Sequence, residues 1–244
     1  MHPSALIQNE IAEELSQQEF EVYIIRDHIA LRKVLKRYPD SIVFVYIDDR
    51  LPEKEWEAWI RGVMTDPETA GIAIGVLSST ADETLQRKYV NSIKVQCGFV
   101  LVKPTNVPKI VQRFFEILSV LDAKGRRKYI RAITEGEAFT SLNMFIEGEF
   151  VTGNIMDISS VGLSCVFPEE IDLPKNAYFN DIQLKLRSVL LKVEGIVFGS
   201  RMSNGQKAYV FLFTQRIDPD AKTRIRKYIQ SMLQEKMNEE LKQA

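Results

Sequence analysis

The sequence is short of the residues that build metal centres. It contains two cysteines, Cys97 and Cys165, and two histidines, His2 and His28. Both cysteines lie in apolar, strand-like runs, so we expect buried, reduced thiols. A metal site needs more ligands than these side chains supply. The sequence therefore predicts no metal centre.

Excess charge and long apolar runs are also missing. With 32 basic and 33 acidic residues, the formal net charge is −1. The field of the whole molecule therefore cannot hold DNA, RNA or an anionic membrane, and any anion site must be local. Runs such as "IVFVYI" are too short to span a bilayer, and the first residues lack the features of a signal peptide. We expect a cytoplasmic protein without membrane insertion.

Enzyme signatures are absent as well. The sequence shows no pairing of a nucleophile with a base and no glycine-rich phosphate loop. We therefore predict a protein that is not an enzyme and needs no cofactor.

What the first half does contain is an alternation of strands and helices. Apolar runs at 20–25, 41–47, 71–77 and 98–104 are separated by segments with helical periodicity. This pattern predicts a doubly wound α/β domain, with a parallel sheet covered by helices on both faces. Ligands of such sheets collect at the carboxyl ends of the strands.

Three polar residues lie at the carboxyl ends of these strands: Asp48 and Ser78 directly follow two of them, and Lys103 with Pro104 closes the last. In this arrangement the first half resembles the receiver domain of two-component systems, which implies Asp48 as phosphoacceptor with Ser78 and Lys103 at the phosphoryl group. If "SALIQNE" is the first strand, Gln8 and Asn9 stand where that family has its acidic, Mg²⁺-binding pair. Neutral amides hold Mg²⁺ poorly. We expect a receiver-shaped scaffold that takes no phosphate, and a phosphorylation-driven response regulator using Asp48 is the alternative.

The sequence pattern of the second half predicts a small antiparallel barrel. Short strands with turn signals follow one another, and Asn204-Gly205 is a two-residue hairpin signal. A final helix begins with Asp218 as N-cap, and its apolar stripe should pack on the barrel. The predicted division is a domain at 1–120, a linker at 121–126, a barrel at 127–217 and a C-terminal helix at 218–244.

Two motifs mark the start of this barrel. "DISSVG", residues 157–162, has the form D-x-S-x-x-G, and "GRRKYIR" supplies R-x-x-x-R through Arg127 and Arg131. Together, in this order, they closely resemble the PilZ domain family, whose members bind the bacterial second messenger cyclic di-GMP. The resemblance covers about residues 124–240 and implies a six-stranded barrel that ends in a helix.

The resemblance also implies a role for each motif residue. Arg127 and Arg131 would clamp the ligand, since guanidinium matches guanine O6/N7 and phosphate alike. Asp157 would accept hydrogen bonds from the guanine N1–H and amine. Ser159 would offer its hydroxyl to phosphate or to the turn itself. Gly162 would let the backbone approach closely, and in a turn of this form glycine is expected at positive φ.

Two further residues have open interpretations. Arg126, directly before the arginine pair, either stacks on a second ligand molecule, giving an intercalated cyclic di-GMP dimer, or is a solvated linker charge. Asn154 either joins the site or is a polar residue near a strand end.

The functional prediction is a signalling effector. Cyclic di-GMP would order the segment 120–128, reorient the two domains and change a surface that an unidentified protein partner recognises. A barrel that binds single-stranded nucleic acid is the other alternative, against which the near-zero net charge argues.

Overall fold

The computed structural model describes residues 5–123 and 128–244. These residues divide into two compact units. The first comprises residues 5–18, 22–123 and 234–244, and the second comprises residues 19–21 and 128–233. Among the described residues, no helix combines the length and the apolar character needed to cross a membrane.

The first unit is built on a parallel sheet. Its three strands, in the order β1-β2-β3, are β1 (Ile42–Tyr46), β2 (Ala73–Ser78) and β3 (Phe99–Leu101). Its helices are α1 (Ala5–Gln17), α2 (His28–Leu35), α3 (Glu53–Thr65), α4 (Glu83–Arg87) and α5 (Val107–Val120), with a π-helical turn at Lys88–Ile93 and a 3-10 turn at Pro104–Asn106.

Helices cover both faces of this sheet. Phe44 pairs with Gly75 across β1 and β2, and its ring lies 4.4 Å from that of Phe114 on α5. The next residue, Val45, points to the opposite face because strand side chains alternate, and there it joins a core that contains Ile60 of α3. The doubly wound architecture is therefore confirmed.

Two strands predicted in the first half of the sequence are wrong. Residues 5–10 of the segment "SALIQNE" lie in helix α1, where Ile11 and Leu15 recur at helical spacing and are buried. Residues 20–25 lie outside the sheet despite their strand-like composition. The backbone N–H and C=O of Ile24 instead bond the side-chain amide of Gln234 at 2.8 and 3.1 Å, so these groups are satisfied without a neighbouring strand.

The second unit is a closed antiparallel barrel, as predicted. Its strands run in the order β6-β5-β8-β9-β10-β7, and pairing of β7 with β6 closes the circle of six. A short additional strand, β4, pairs with β6. The bounds are β4 (Arg131–Ile133), β5 (Thr140–Ile146), β6 (Glu149–Ser159), β7 (Gly162–Val166), β8 (Tyr178–Leu186), β9 (Val189–Ser203) and β10 (Gln206–Phe213).

The local signals of the second half are also confirmed. Asn204 and Gly205 adopt φ of 49° and 79° in the β9–β10 hairpin. Helix α6 (Pro219–Gln243) begins after Asp218, whose carboxylate accepts the N–H of Asp220 at 3.0 Å. Ile225, Ile229, Met232 and Leu233 of its predicted stripe pack in the barrel core. Residues of α6 up to 233 belong to the second unit and those from 234 onward to the first.

Candidate functional site

The site begins at a bulge in β6. Ile155 pairs with Cys165 and Asp157 pairs with Ser164, so Met156 is an extra residue on β6. Its carbonyl accepts the N–H of Thr134 at 2.8 Å, while the Thr134 hydroxyl bonds the carbonyl of Ile155 at 2.7 Å. A bulge redirects the side chains that follow it, and here the next side chain is Asp157.

Asp157 stands at the centre of a small charged cluster. Its Oδ1 lies 3.0 Å from Nη1 of Arg131, and its Oδ2 lies 3.7 Å from Nη2 of Arg201. Oδ2 also accepts a hydrogen bond from the hydroxyl of Ser164. Only 13% of the Asp157 side chain is exposed, against 41% for Arg131 and 58% for Arg201. The result is one covered carboxylate beneath two guanidinium groups that reach solvent.

Strand pairing explains how Arg131 arrives there. On β4, Arg131 lies opposite Ser159 and Ile133 lies opposite Asp157. Arg131 and Ile133 are exposed whereas Ala132 between them is buried, so the arginine points outward over the end of β6. The structure thus brings Arg131, Asp157 and Ser159 to one corner of the barrel.

The D-x-S-x-x-G turn is held by its own serine. The hydroxyl of Ser159 donates to the carbonyl of Gly162 at 3.1 Å and accepts the N–H of Val161 at 3.4 Å. Of the two roles predicted for this hydroxyl, the structure therefore shows the bond within the turn.

Gly162 is needed for a close approach between strands. A Cβ at this position would lie 2.2 Å from the carbonyl oxygen of Phe211 on β10, a distance that real Cβ atoms do not adopt. Gly162 is not among the positive-φ glycines in the described ranges, so the expectation of positive φ is wrong. The glycine makes room for the protein's own backbone.

The remaining sequence candidates are placed as follows. Arg126 and Arg127 lie outside the described residues. Within "GRRKYIR", Ile130 is buried in the barrel core, which explains an apolar residue inside a basic stretch. Asn154 is exposed on β6, paired with Ser141.

Arg201 is the residue that sequence reasoning missed. It lies on β9, 44 positions after Asp157, and no motif marks it. Its place depends on the register of β9 against β10, where Arg201 pairs with Ala208. The signal that could have identified Arg201 is an exposed arginine on a strand near the site. That signal can be used only when the register of the barrel strands is known.

In the first unit the structure joins Asp48 to Ser78. Oδ1 of Asp48 accepts the Ser78 hydroxyl at 2.7 Å, and Oδ2 accepts the N–H of Ser79 at 2.5 Å and its hydroxyl at 2.6 Å. Burial raises the pKa of Asp48, but the hydrogen bonds from Ser79 and Ser78 outweigh it and leave the pKa below its usual value. Both carboxylate oxygens are thus occupied by the protein's own donors.

Lys103 is not joined to this pair. It is exposed after β3, and within the described ranges its amine makes no ion pair with Asp48. Residues 5–123 and 128–244 contain no cluster of three or more side chains of the kinds that hold metals. Cys97 and Cys165 are free and buried, as predicted, and burial raises the pKa of the Cys97 thiol to about 11.

Comparison with known families decides the nature of the second unit. The sequence model of the PilZ domain matches residues 125–231. This part of the chain is a PilZ domain. The match includes both motifs of the PilZ domain and leaves the first unit uncovered, so the receiver resemblance stays a prediction. No curated protein matches the chain.

Several solved structures resemble part of the chain. The PilZ domain of YcgR from Escherichia coli, solved with c-di-GMP, is 12% identical; the alignment covers 49% of this chain and 100% of that one, with a TM-score of 0.40. The MrkH–c-di-GMP complex of K. pneumonia is 18% identical over 48% of this chain and 56% of that one, with a TM-score of 0.42. MotI/DgrA of Bacillus subtilis is 14% identical over 47% and 53%, with a TM-score of 0.39.

The chain spans only about half the length of MrkH and MotI/DgrA. At this level of likeness, the assignment of the barrel rests on its own strand pairings and on the sequence match.

Proposed function

We propose that this protein is a cyclic di-GMP effector that binds the nucleotide at the corner formed by Arg131, Asp157 and the turn 159–162. One observation carries the proposal, the 3.0 Å contact between Nη1 of Arg131 and Oδ1 of Asp157 beside that turn. It joins the second arginine of R-x-x-x-R to the aspartate of D-x-S-x-x-G, although the two are 26 positions apart in the sequence.

The chemistry of the corner suits this ligand. Cyclic di-GMP carries two phosphodiester charges and two guanines, whose O6 and N7 accept hydrogen bonds while N1–H and the amine donate them. The exposed guanidinium groups of Arg131 and Arg201 can pair with O6/N7 or with phosphate oxygens. Asp157 is the acceptor for the guanine donors. The ion pair with Asp157 holds Arg131 near the site before the ligand arrives, which reduces the entropy lost on binding.

Arg127 and Arg126 complete the proposal from the sequence. Arg127 divides the guanine-edge and phosphate contacts with Arg131. Arg126 contacts a second nucleotide, so that an intercalated pair of cyclic di-GMP molecules binds each chain.

The signalling output is a change in protein contacts. Binding orders the segment that carries the arginine pair and reorients the two domains, which alters a surface read by a partner protein. Small-angle scattering of the whole chain should therefore change on saturation with cyclic di-GMP. Superimposable profiles with and without the nucleotide would contradict this step.

Calorimetric titration tests the binding itself. The whole chain is titrated with cyclic di-GMP, with GTP and cyclic AMP as controls, and the same is done for Arg127→Ala. We expect the chain to bind cyclic di-GMP but neither GTP nor cyclic AMP, with two cyclic di-GMP molecules per chain. Arg127→Ala should bind cyclic di-GMP at least tenfold more weakly, because a charge-assisted hydrogen bond contributes about 1.5–3 kcal/mol. Equal affinity of the variant would refute the site, and a stoichiometry of one would refute the intercalated pair.

Binding of nucleic acid is tested separately on the same protein. One similar structure is described as MrkH, a c-di-GMP dependent transcription regulatory factor. For this chain, the absence of DNA and RNA binding stays a prediction, and a labelled duplex that binds with or without cyclic di-GMP would show it to be wrong.

A further inference from the structure

Glu19 occupies an unusual backbone position for a glutamate. It comes two residues after the end of α1 and has φ of 64°, in the left-handed region. That position after a helix usually carries glycine, because a Cβ is disfavoured there. The chain up to Gln18 and again from Val22 onward belongs to the first unit, whereas the short stretch Glu19–Glu21 between them belongs to the second unit, with residues 128–233.

Its side chain is buried and fully engaged. Only 8% of it is exposed. Oε2 accepts the backbone N–H of Ile130 at 3.2 Å. Oε1 accepts the hydroxyl of Ser160 at 2.7 Å and the guanidinium Nε and Nη2 of Arg226 at 3.1 and 2.9 Å. A buried carboxylate is tolerated when a guanidinium and further donors compensate its lost hydration, and Glu19 has both.

The partners of Glu19 adjoin the two motifs. Ile130 directly precedes Arg131, the last arginine of R-x-x-x-R. Ser160 directly follows Ser159 in the D-x-S-x-x-G turn. One carboxylate therefore joins the start of β4 to the turn between β6 and β7, which are the two segments that must stay together for Arg131 to reach Asp157.

We propose that Glu19 is a positioning residue of the cyclic dinucleotide site, supplied from 111 residues before Ile130 and from outside the sequence range that matches the PilZ domain. The inference rests on the proposed function. Glu19 does not touch the ligand. It fixes the spacing between the arginine segment and the turn, so that less of the binding free energy is spent on ordering them.

The alternative is an ion pair that only stabilises the fold. The two roles separate when affinity is measured on folded protein, because a stability effect lowers the folded fraction but leaves the affinity of folded molecules unchanged. They separate again in the Arg131→Ala background, since a residue that acts through Arg131 loses its influence when Arg131 is removed.

The experiment is a calorimetric titration of the whole chain with cyclic di-GMP, at a temperature where circular dichroism shows every variant to be folded. The test variant is Glu19→Gly, which removes the carboxylate and also relieves the left-handed backbone. The matched control is Glu147→Gly in the β5–β6 hairpin, where another glutamate has positive φ, 50°, and is exposed. Should Glu19→Gly fail to fold, Ser160→Ala removes a single hydroxyl from the same cluster.

We expect Glu19→Gly to weaken binding about tenfold and Ser160→Ala about threefold, from the usual contributions of charged and neutral hydrogen bonds. The Glu147→Gly control should bind like wild type. In the Arg131→Ala background the loss from Glu19→Gly should shrink to about twofold.

Wild-type affinity in Glu19→Gly or in Ser160→Ala would overturn the inference and leave the proposed function standing. An undiminished loss in the Arg131→Ala background would also overturn it. A wild-type chain that does not bind cyclic di-GMP would instead refute the proposed function, and the inference with it.

Discussion

Replacing Arg131 by alanine distinguishes the contribution of this side chain to folding stability from its contribution to ligand binding. Its ion pair with Asp157 is short, at 3.0 Å, but 41% of the arginine side chain is exposed. For such a pair solvent screening leaves at most about 1 kcal/mol of folding stability. A charge-assisted contact with a desolvated ligand is larger, about 1.5–3 kcal/mol, which corresponds to at least tenfold in affinity. We therefore expect a small loss of stability together with a large loss of binding.

The two losses are measured on the same samples. Urea unfolding gives the change in stability, and calorimetry gives the affinity for cyclic di-GMP. Arg187→Ala is the matched control, because Arg187 forms a comparable ion pair with Glu137, at 3.2 Å and 34% exposure, in the turn between β8 and β9. Arg131→Lys keeps the charge but not the planar fork, so it should recover only part of the affinity.

The decisive comparison is between Arg131→Ala and Arg187→Ala. If the two variants bind cyclic di-GMP within twofold of each other, the corner at Asp157 is not the binding site. If Arg131→Ala instead loses several kcal/mol of stability, the estimate of screening is wrong and the ion pair is structural.

Two further predictions concern the backbone and the first unit. Gly162→Ala should destabilise the protein by about 1–3 kcal/mol in urea unfolding, because its Cβ would meet the Phe211 carbonyl, whereas Gly199→Ala, with open space around it, should not; equal stability would refute the close approach. Burial raises the pKa of Asp48, but hydrogen bonds from Ser79 and Ser78 outweigh burial and keep the pKa in the folded protein below the ordinary 3.8. Ionised Asp48 therefore stabilises the fold above pH 3.8, and this contribution disappears as the pH falls through the pKa of the folded protein. The stability deficit of Asp48→Asn should therefore be largest near neutral pH and shrink in acid, and a deficit that grows in acid would contradict the sign of the shift.

The sequence predicted the parts of the fold that local patterns determine. The Asn204-Gly205 hairpin, the Asp218 cap and the three sheet strands each have a signal within a few residues, and the structure confirms them. The segment at 20–25 fails for a physical reason. Its composition favours a strand, but Ile24 finds its backbone partners in the side chain of Gln234, 210 positions away.

The residues of the candidate site also fall into a group that the sequence predicts and a group that it does not. The two motifs could be read from the sequence because each is a short run of residue types. Arg201 and Glu19 could not, because their distances to Asp157 and to Ser160 depend on barrel register and on a chain segment far from either motif.

Helix α6 has a consequence for anyone who dissects this protein. Its residues to 233 complete the barrel core, while Gln234 and Glu240 bond Ile24 and Tyr38 of the first unit. A fragment that stops at residue 123 would leave the Ile24 amide without its partner, and one that begins at 125 would leave Arg226 without Glu19. Cutting the chain between its two halves therefore removes contacts from each unit. A domain exchange that transfers the whole first unit would have to include segments from both ends of the chain.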